Sequence, residues 1–126
     1  VVSVECENVN AKIHLKLKSG QVLVSVITKE AVENLHIEKD HTVIAIFKSS
    51  TVLLSAVSDE KHQENRLVGV VEKIETDREN VKVQVDIGNH DMVVAVMPVN
   101  VLEKMELKVG SSVTAMIKAS NIMLGK

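Results

Sequence analysis

The sequence is almost without aromatic residues: Phe47 stands alone, and there is no Trp or Tyr. Sites for single-stranded nucleic acid stack bases on aromatic rings along a basic groove. A chain with 15 Lys and Arg against 17 Asp and Glu, and a formal charge of −2, supplies neither rings nor groove. Nor does it offer a basic face large enough to hold a polyanion by counterion release. Cys6 is the only cysteine, so no intrachain disulfide or thiolate metal cluster can form, which fits a reducing compartment. The longest apolar stretch, Met92 to Leu102, is interrupted by Pro98 and Asn100 and is too short to cross a bilayer. The opening residues, VVSVEC, show no basic-then-apolar signal pattern. A cytoplasmic protein, bound neither to membrane nor to nucleic acid, is expected.

Catalytic signatures are missing too. There is no Gly-x-Ser-x-Gly elbow, no glycine-rich phosphate loop and no His-Glu-x-x-His. His14, His36, His41, His62 and His90 are scattered without metal-ligand spacing, so no metal site is expected. Asp86, Asp91, Glu33 and Glu103 read as surface charges rather than a paired acid and base. The chain reads as a non-enzyme.

What is present is aliphatic. The chain is 45% hydrophobic and 25% charged, the balance of a soluble globular protein. Shifted by 70 positions it matches itself: Lys48 falls on Lys118, Ser50 on Ser120, Leu54 on Leu124, Glu33 on Glu103 and Ala45 on Ala115, with no gap from Val1/Val71 to the end. Residues 1–57 and 66–126 read as two copies of one unit, joined by a polar connector over 58–65.

Each copy is mainly strand. Ala11–Leu17 and Val81–Ile87 alternate apolar and polar residues, the period of a half-buried strand. Lys18-Ser19-Gly20-Gln21 and Gly88-Asn89-His90-Asp91 supply turns into Val22–Ile27 and Met92–Met97. Thr28 suits the N-cap of a helix over Lys29–Leu35, and Pro98 takes its place before a helix over Val99–Met105. Two closing strands follow, Thr42–Phe47 and Thr51–Ala56, with counterparts Ser112–Ile117 and Asn121–Leu124. The second copy has an additional strand start, Leu67–Val71, so the first copy begins inside that strand. Four or five short strands and one small helix per copy predict an all-β fold: two tandem OB-fold-like small β-barrels, each with one short helix. Units this small bury little surface, which predicts pairing of the units and a homo-oligomer.

Lys48-Ser49-Ser50 and Lys118-Ala119-Ser120 interrupt the closing strands in the same setting. Small residues leave backbone N–H groups open beside the ammonium, and serine adds a hydroxyl donor, as in an anion nest. Thr28 adds a hydroxyl at a helix start. Donors without a base describe a site that binds an oxyanion and does not react with it. Micromolar affinity requires about −8 kcal/mol, and each hydrogen bond to a charged group contributes roughly 1.5–3 kcal/mol, so four to six converging donors suffice.

Each copy resembles the Mop-type molybdate-binding domain, or transport-associated OB (TOBE) domain. The resemblance is carried by Val24-Ser25-Val26-Ile27-Thr28-Lys29-Glu30-Ala31-Val32-Glu33-Asn34-Leu35 and Val43-Ile44-Ala45-Ile46-Phe47-Lys48-Ser49-Ser50-Thr51-Val52-Leu53-Leu54, and in the second copy by the run Val113–Gly125. The tandem pair is similar to a di-Mop arrangement. This resemblance implies molybdate or tungstate as bound ligand, held at interfaces between units and subunits, with no organic cofactor. It assigns the oxyanion to Lys48, Ser49, Ser50 and Thr28, and to Lys118, Ala119 and Ser120. The family's Ser-Ala-Arg-Asn stretch falls on His62-Gln63-Glu64-Asn65, where serine and arginine are absent and Glu64 would repel a dianion. Intracellular molybdenum storage or homeostasis is the implied role. Alternatives are the ligand-sensing C-terminal module of a molybdate-responsive regulator or of an importer's ATPase subunit, and a pure assembly module whose anion site has decayed.

Overall fold

A computed structural model of the protein describes residues 1–55 and 65–126. The first copy contributes β1 (Ser3–Cys6), β2 (Asn10–Lys16), β3 (Val22–Thr28), helix α1 (Lys29–Leu35), β4 (Ile44–Ile46) and β5 (Leu53–Ser55). The second contributes β6 (Asn65–Asp77), β7 (Asn80–Asp86), β8 (Met92–Pro98), α2 (Val99–Met105), β9 (Ser112–Ile117) and β10 (Met123–Gly125). A single 3₁₀ turn separates each closing pair, Ser49–Thr51 before β5 and Ala119–Asn121 before β10. The fold is mostly β with two short helices, as the alternating patterns require.

Alternation sets which side chains are inside. Along β7, Val81, Val83 and Val85 are fully buried while Lys82 is exposed; Ala11, Ile13 and Leu15 repeat the pattern on β2. Both helices span the seven residues read from the sequence. Thr28 Oγ1 accepts the Ala31 N–H at 3.1 Å, and the helix ends at His36 in the left-handed region. Pro98 offers α2 no side-chain cap, yet Glu106 ends it in the same way.

The pairing of the closing strands was not legible beforehand. β4 pairs with β10 and β5 pairs with β9, so each copy's last two strands lie in ladders with the other copy's. The sheets are β1-β2-β3, β4-β10 and β5-β9-β6-β7-β8, and among the described residues none of them closes on itself. Hydrophobic residues of both copies form one core, in which Ile13 and Leu23 share a cluster with Leu67, Ile117 and Ile122.

Polar side chains lock the copies together. Gln21, in the first hairpin, donates through Nε2 to the carbonyls of Ile87 at 2.7 Å and Val68 at 3.0 Å, and its Oε1 accepts the Val68 N–H at 2.9 Å. β6 pairs with β9 along Asn65–Val70 and with β7 from Val70 to Asp77, with a bulge between Val71 and Lys73 in the second ladder. Gly69 is required where the strand changes partner: a Cβ there would lie 2.5 Å from the Asp86 carbonyl oxygen. Of the connector over 58–65, only Asn65 lies within the described residues, as the first residue of β6.

Candidate functional site

The two lysine turns have one geometry. Lys48 and Lys118 are extended (φ −80° and −68°), and their carbonyls accept the N–H groups of Thr51 and Asn121, each at 2.9 Å. The carbonyls of Ser49 and Ala119 accept from Val52 and Ile122 at 3.3 Å. A turn this short leaves the amides of its first residues, Ser49 and Ser50 or Ala119 and Ser120, without an intrahelical acceptor. Both lysines, Ser50 and Ser120 are exposed, Ser49 is half-buried and Ala119 is buried. Neither lysine forms an ion pair with a described residue.

Each turn sits on the other copy. Ala119–Asn121 packs on β3 of the first copy, and Ser49–Thr51 packs on β8 of the second. The first seating is fixed by a buried hydrogen bond from Ser25 Oγ to the Ile122 carbonyl at 2.7 Å. The residue matching Ser25 on β8 is Ala95, which has no donor. Lys118-Ala119-Ser120 therefore rests on the strand that ends in Thr28, whereas Lys48-Ser49-Ser50 rests on the one that ends in Pro98. Thr28 thus ends the strand on which the opposite copy's turn packs, a relationship that sequence order conceals. Its hydroxyl oxygen accepts the Ala31 N–H, which leaves the hydroxyl hydrogen as what it can offer an oxyanion. The α1 amides are partly engaged as well, since Lys29 N–H donates to the Val9 carbonyl at 2.7 Å.

Two clefts among the described residues lie away from the turns. A cleft of about 410 Å³ is lined by Val1, Leu15, Leu17, Val43 and Ala45, among others, and a second of about 850 Å³ by Val68, Val70, Glu72, Asp86 and Val109, among others. Neither includes a lysine-turn residue, and Glu72 and Asp86 make the second hostile to anions. Among the described residues, the charge pair with shifted proton affinities lies on β6. There a 2.7 Å contact and the opposite charge raise the pKa of Lys73 and lower that of Glu75. His62, Gln63 and Glu64 lie outside the described residues. Among the described residues, no three His, Cys, Asp or Glu side chains are grouped to hold a metal ion, and no helix is long and apolar enough to cross a membrane.

The profile of the TOBE domain matches the chain twice, over residues 1–54 and 62–124. The chain belongs to the TOBE-domain family. Molybdenum-pterin-binding protein MopB of Rhodobacter capsulatus is 31% identical over 127 residues, covering 98% of this chain and 47% of MopB. MopA of the same organism is 31% identical over 118 residues, 92% of this chain and 44% of its own. This TOBE pair thus spans about half the length of the curated relatives it matches. Among solved structures, the cytoplasmic molybdate-binding protein ModG, in a form with molybdate bound, superposes with a TM-score of 0.94 at 31% identity. That match covers 99% of this chain and 90% of the ModG chain. The tandem arrangement read from the repeat is therefore a tandem of TOBE domains.

Proposed function

We propose that this chain binds molybdate or tungstate without converting it, in intracellular molybdenum storage or homeostasis. The observation that carries the reading is the duplicated Lys-small-Ser turn, with exposed ammonium groups and first amides that have no intrahelical acceptor, seated each time on the opposite copy. Lys48, Ser49 and Ser50 form one half-site and Lys118, Ala119 and Ser120 the other, with Thr28 on the strand beneath the second. Relatives named for binding molybdenum compounds, and a molybdate-bound neighbour of the same fold, support the choice of anion. The residues of the two turns themselves are donors with no general base among them, which supports binding over catalysis.

A homo-oligomer completes this proposal. By the strand register, Leu53, Val68 and Val70 share the outer face of the β5-β9-β6 ladder, and Ile44, Ile46 and Met123 that of β4-β10. These six are 45–61% exposed. Apolar patches of this kind mark association surfaces, and a second chain placed there would wall the open turns. The proposed units remain 1–57 and 66–126, in a cytoplasmic protein that contacts neither nucleic acid nor membrane. Calorimetric titration with molybdate, tungstate and sulfate tests the reading: the first two release heat, and sulfate at equal concentration does not. Equal binding of sulfate would remove the proposed selectivity.

The partial coverage of MopA and MopB favours a second reading, in which the same anion-binding pair is the ligand-sensing part of a longer regulator or of an importer's ATPase subunit. The complete coding sequence distinguishes the two.

A further inference from the structure

The peptide unit joining Lys48 to Ser49 is held harder than its counterpart between Lys118 and Ala119. The Lys48 carbonyl accepts the Thr51 N–H at 2.9 Å and also the Thr51 hydroxyl at 2.6 Å. The Lys118 carbonyl accepts the Asn121 N–H at 2.9 Å, and the exposed Asn121 side chain forms no hydrogen bond to a described residue. Threonine suits this bond because its hydroxyl reaches the carbonyl three residues back.

A peptide unit is planar, and its C=O and N–H point in opposite directions within that plane. Two hydrogen bonds on the Lys48 carbonyl therefore also fix the direction of the Ser49 N–H, the first amide of the turn. They polarise the same unit, which makes that N–H a stronger donor. The single hydrogen of the Thr51 hydroxyl is spent on the carbonyl, so Thr51 offers none to an anion. It acts through Ser49.

We propose that Thr51 is a positioning residue of the Lys48 half-site: its hydroxyl, bonded to the Lys48 carbonyl, holds the Ser49 amide in place before the oxyanion arrives. The role rests on the oxyanion reading of the turns. It also accounts for a difference between the copies. The Lys118 turn is seated from beneath by Ser25, whose counterpart under the Lys48 turn is Ala95. Thr51 supplies from within the Lys48 turn a fastening that the strand beneath does not. An ordered half-site loses less conformational freedom on binding, so this lock raises affinity without touching the ligand.

The test compares the full chain with Thr51→Val, Thr51→Ser and Asn121→Thr. Valine keeps the β-branch and removes the hydroxyl; serine keeps the hydroxyl; Asn121→Thr transplants the lock to the other turn. In calorimetry with molybdate, Thr51→Val weakens the class of site that Lys48→Ala also weakens, by about 2- to 12-fold, the worth of one hydrogen bond. The other class is unchanged, and Thr51→Ser binds as the parent does. Asn121→Thr tightens the other class by a similar factor. Without ligand, ¹⁵N relaxation shows the Ser49 amide losing order in Thr51→Val and keeping it in Thr51→Ser, with the Ala119 amide gaining order in Asn121→Thr. Unchanged Ser49 order in ligand-free Thr51→Val would overturn the proposal, whatever the chain binds. Equal weakening of both classes would also overturn it, by making Thr51 a residue of general stability. If the parent binds molybdate and Thr51→Val binds it equally well, the positioning role falls and the oxyanion reading stands. If the parent itself releases no heat, both fall together.

Discussion

The side chain of Asn65 pairs with both backbone groups of Val24: Oδ1 accepts its N–H at 2.6 Å and Nδ2 donates to its carbonyl at 2.7 Å. The carboxamide acts as one more peptide unit on the edge of β3, and it is 1% exposed. Asn65→Ala leaves two backbone groups without partners, at roughly 1–3 kcal/mol each when water is excluded. A loss of about 2–3 kcal/mol in urea unfolding is expected, with the denaturant slope unchanged. Asn65→Asp is expected to cost more, because a buried carboxylate cannot donate to the Val24 carbonyl. A neutral Asn65→Ala would show that this bridge does not join the copies.

Ser25 is the second inter-copy fastening. Ser25→Ala deletes the buried bond to the Ile122 carbonyl and is expected to cost about 1–2 kcal/mol. Because this bond seats the Lys118 turn and not the Lys48 turn, the variant also weakens only one of two oxyanion-binding steps. The reciprocal change, Ala95→Ser, supplies a donor under the Lys48 turn at a fully buried position. Calorimetry on both variants separates seating from general stability, since a merely destabilised protein would lose both steps together.

Much of the architecture was legible because local signals were strong. Thr28 and Pro98 marked the helix starts, and the period of two in Val81–Ile87 marked a strand whose apolar side is wholly buried. The exchange of closing strands was hidden by the repeat itself. β4 resembles β9 and β5 resembles β10, so the hydrophobic pattern fits pairing within a copy as well as across copies. One signal was available in Lys48–Val52. A tight hairpin favours residues such as Asn-Gly that accept positive φ, and none of these residues has one. The chain there crosses to the other copy's sheet instead of folding back. Asn65 was visible only as the end of a family stretch, because nothing local to it signals a partner in β3.

That exchange yields a test of the proposed units. Residues 1–57 alone would leave β4 and β5 without their partners β10 and β9, and residues 66–126 alone would leave β10 and the second edge of β9 unpaired. Each half expressed separately is expected to lack a dispersed amide spectrum, and mixing the halves to restore one. Independent folding of either half would show that the crossed ladders are dispensable.

Gly69 tests the close approach of β6 to β7. Ala at this position puts a methyl group 2.5 Å from a backbone oxygen, which only a backbone shift relieves. A loss of about 1–3 kcal/mol is expected, typical of overpacking, and Gly69→Val is expected to be worse. Gly20, whose Cβ position is open but whose φ is +92°, separates backbone strain from crowding: Gly20→Asn meets no neighbour and carries strain alone, less than Gly20→Val because Asn better tolerates the left-handed region.

The two lysine turns are chemically alike but differently supported, and this predicts unequal affinities. The Lys118 turn rests on β3, with Ser25 beneath and Thr28 at the strand's end; the Lys48 turn rests on β8, with Ala95 and Pro98 in those places. Titration with molybdate is expected to resolve two classes of site. Removing a charge-assisted hydrogen bond costs roughly 1.5–3 kcal/mol, about 10- to 150-fold in Kd. Lys118→Ala is expected to weaken the tighter class by that factor and Lys48→Ala the looser one, each leaving the other class and the thermal stability near the parent. Both lysines are exposed and outside any ion pair with a described residue, so a loss of binding cannot be blamed on a loss of fold. Raised salt screens an exposed ammonium, so both classes weaken with ionic strength. If both variants bind with the parent's heat and stoichiometry, the oxyanion is held elsewhere and the turns are only bends between exchanged strands.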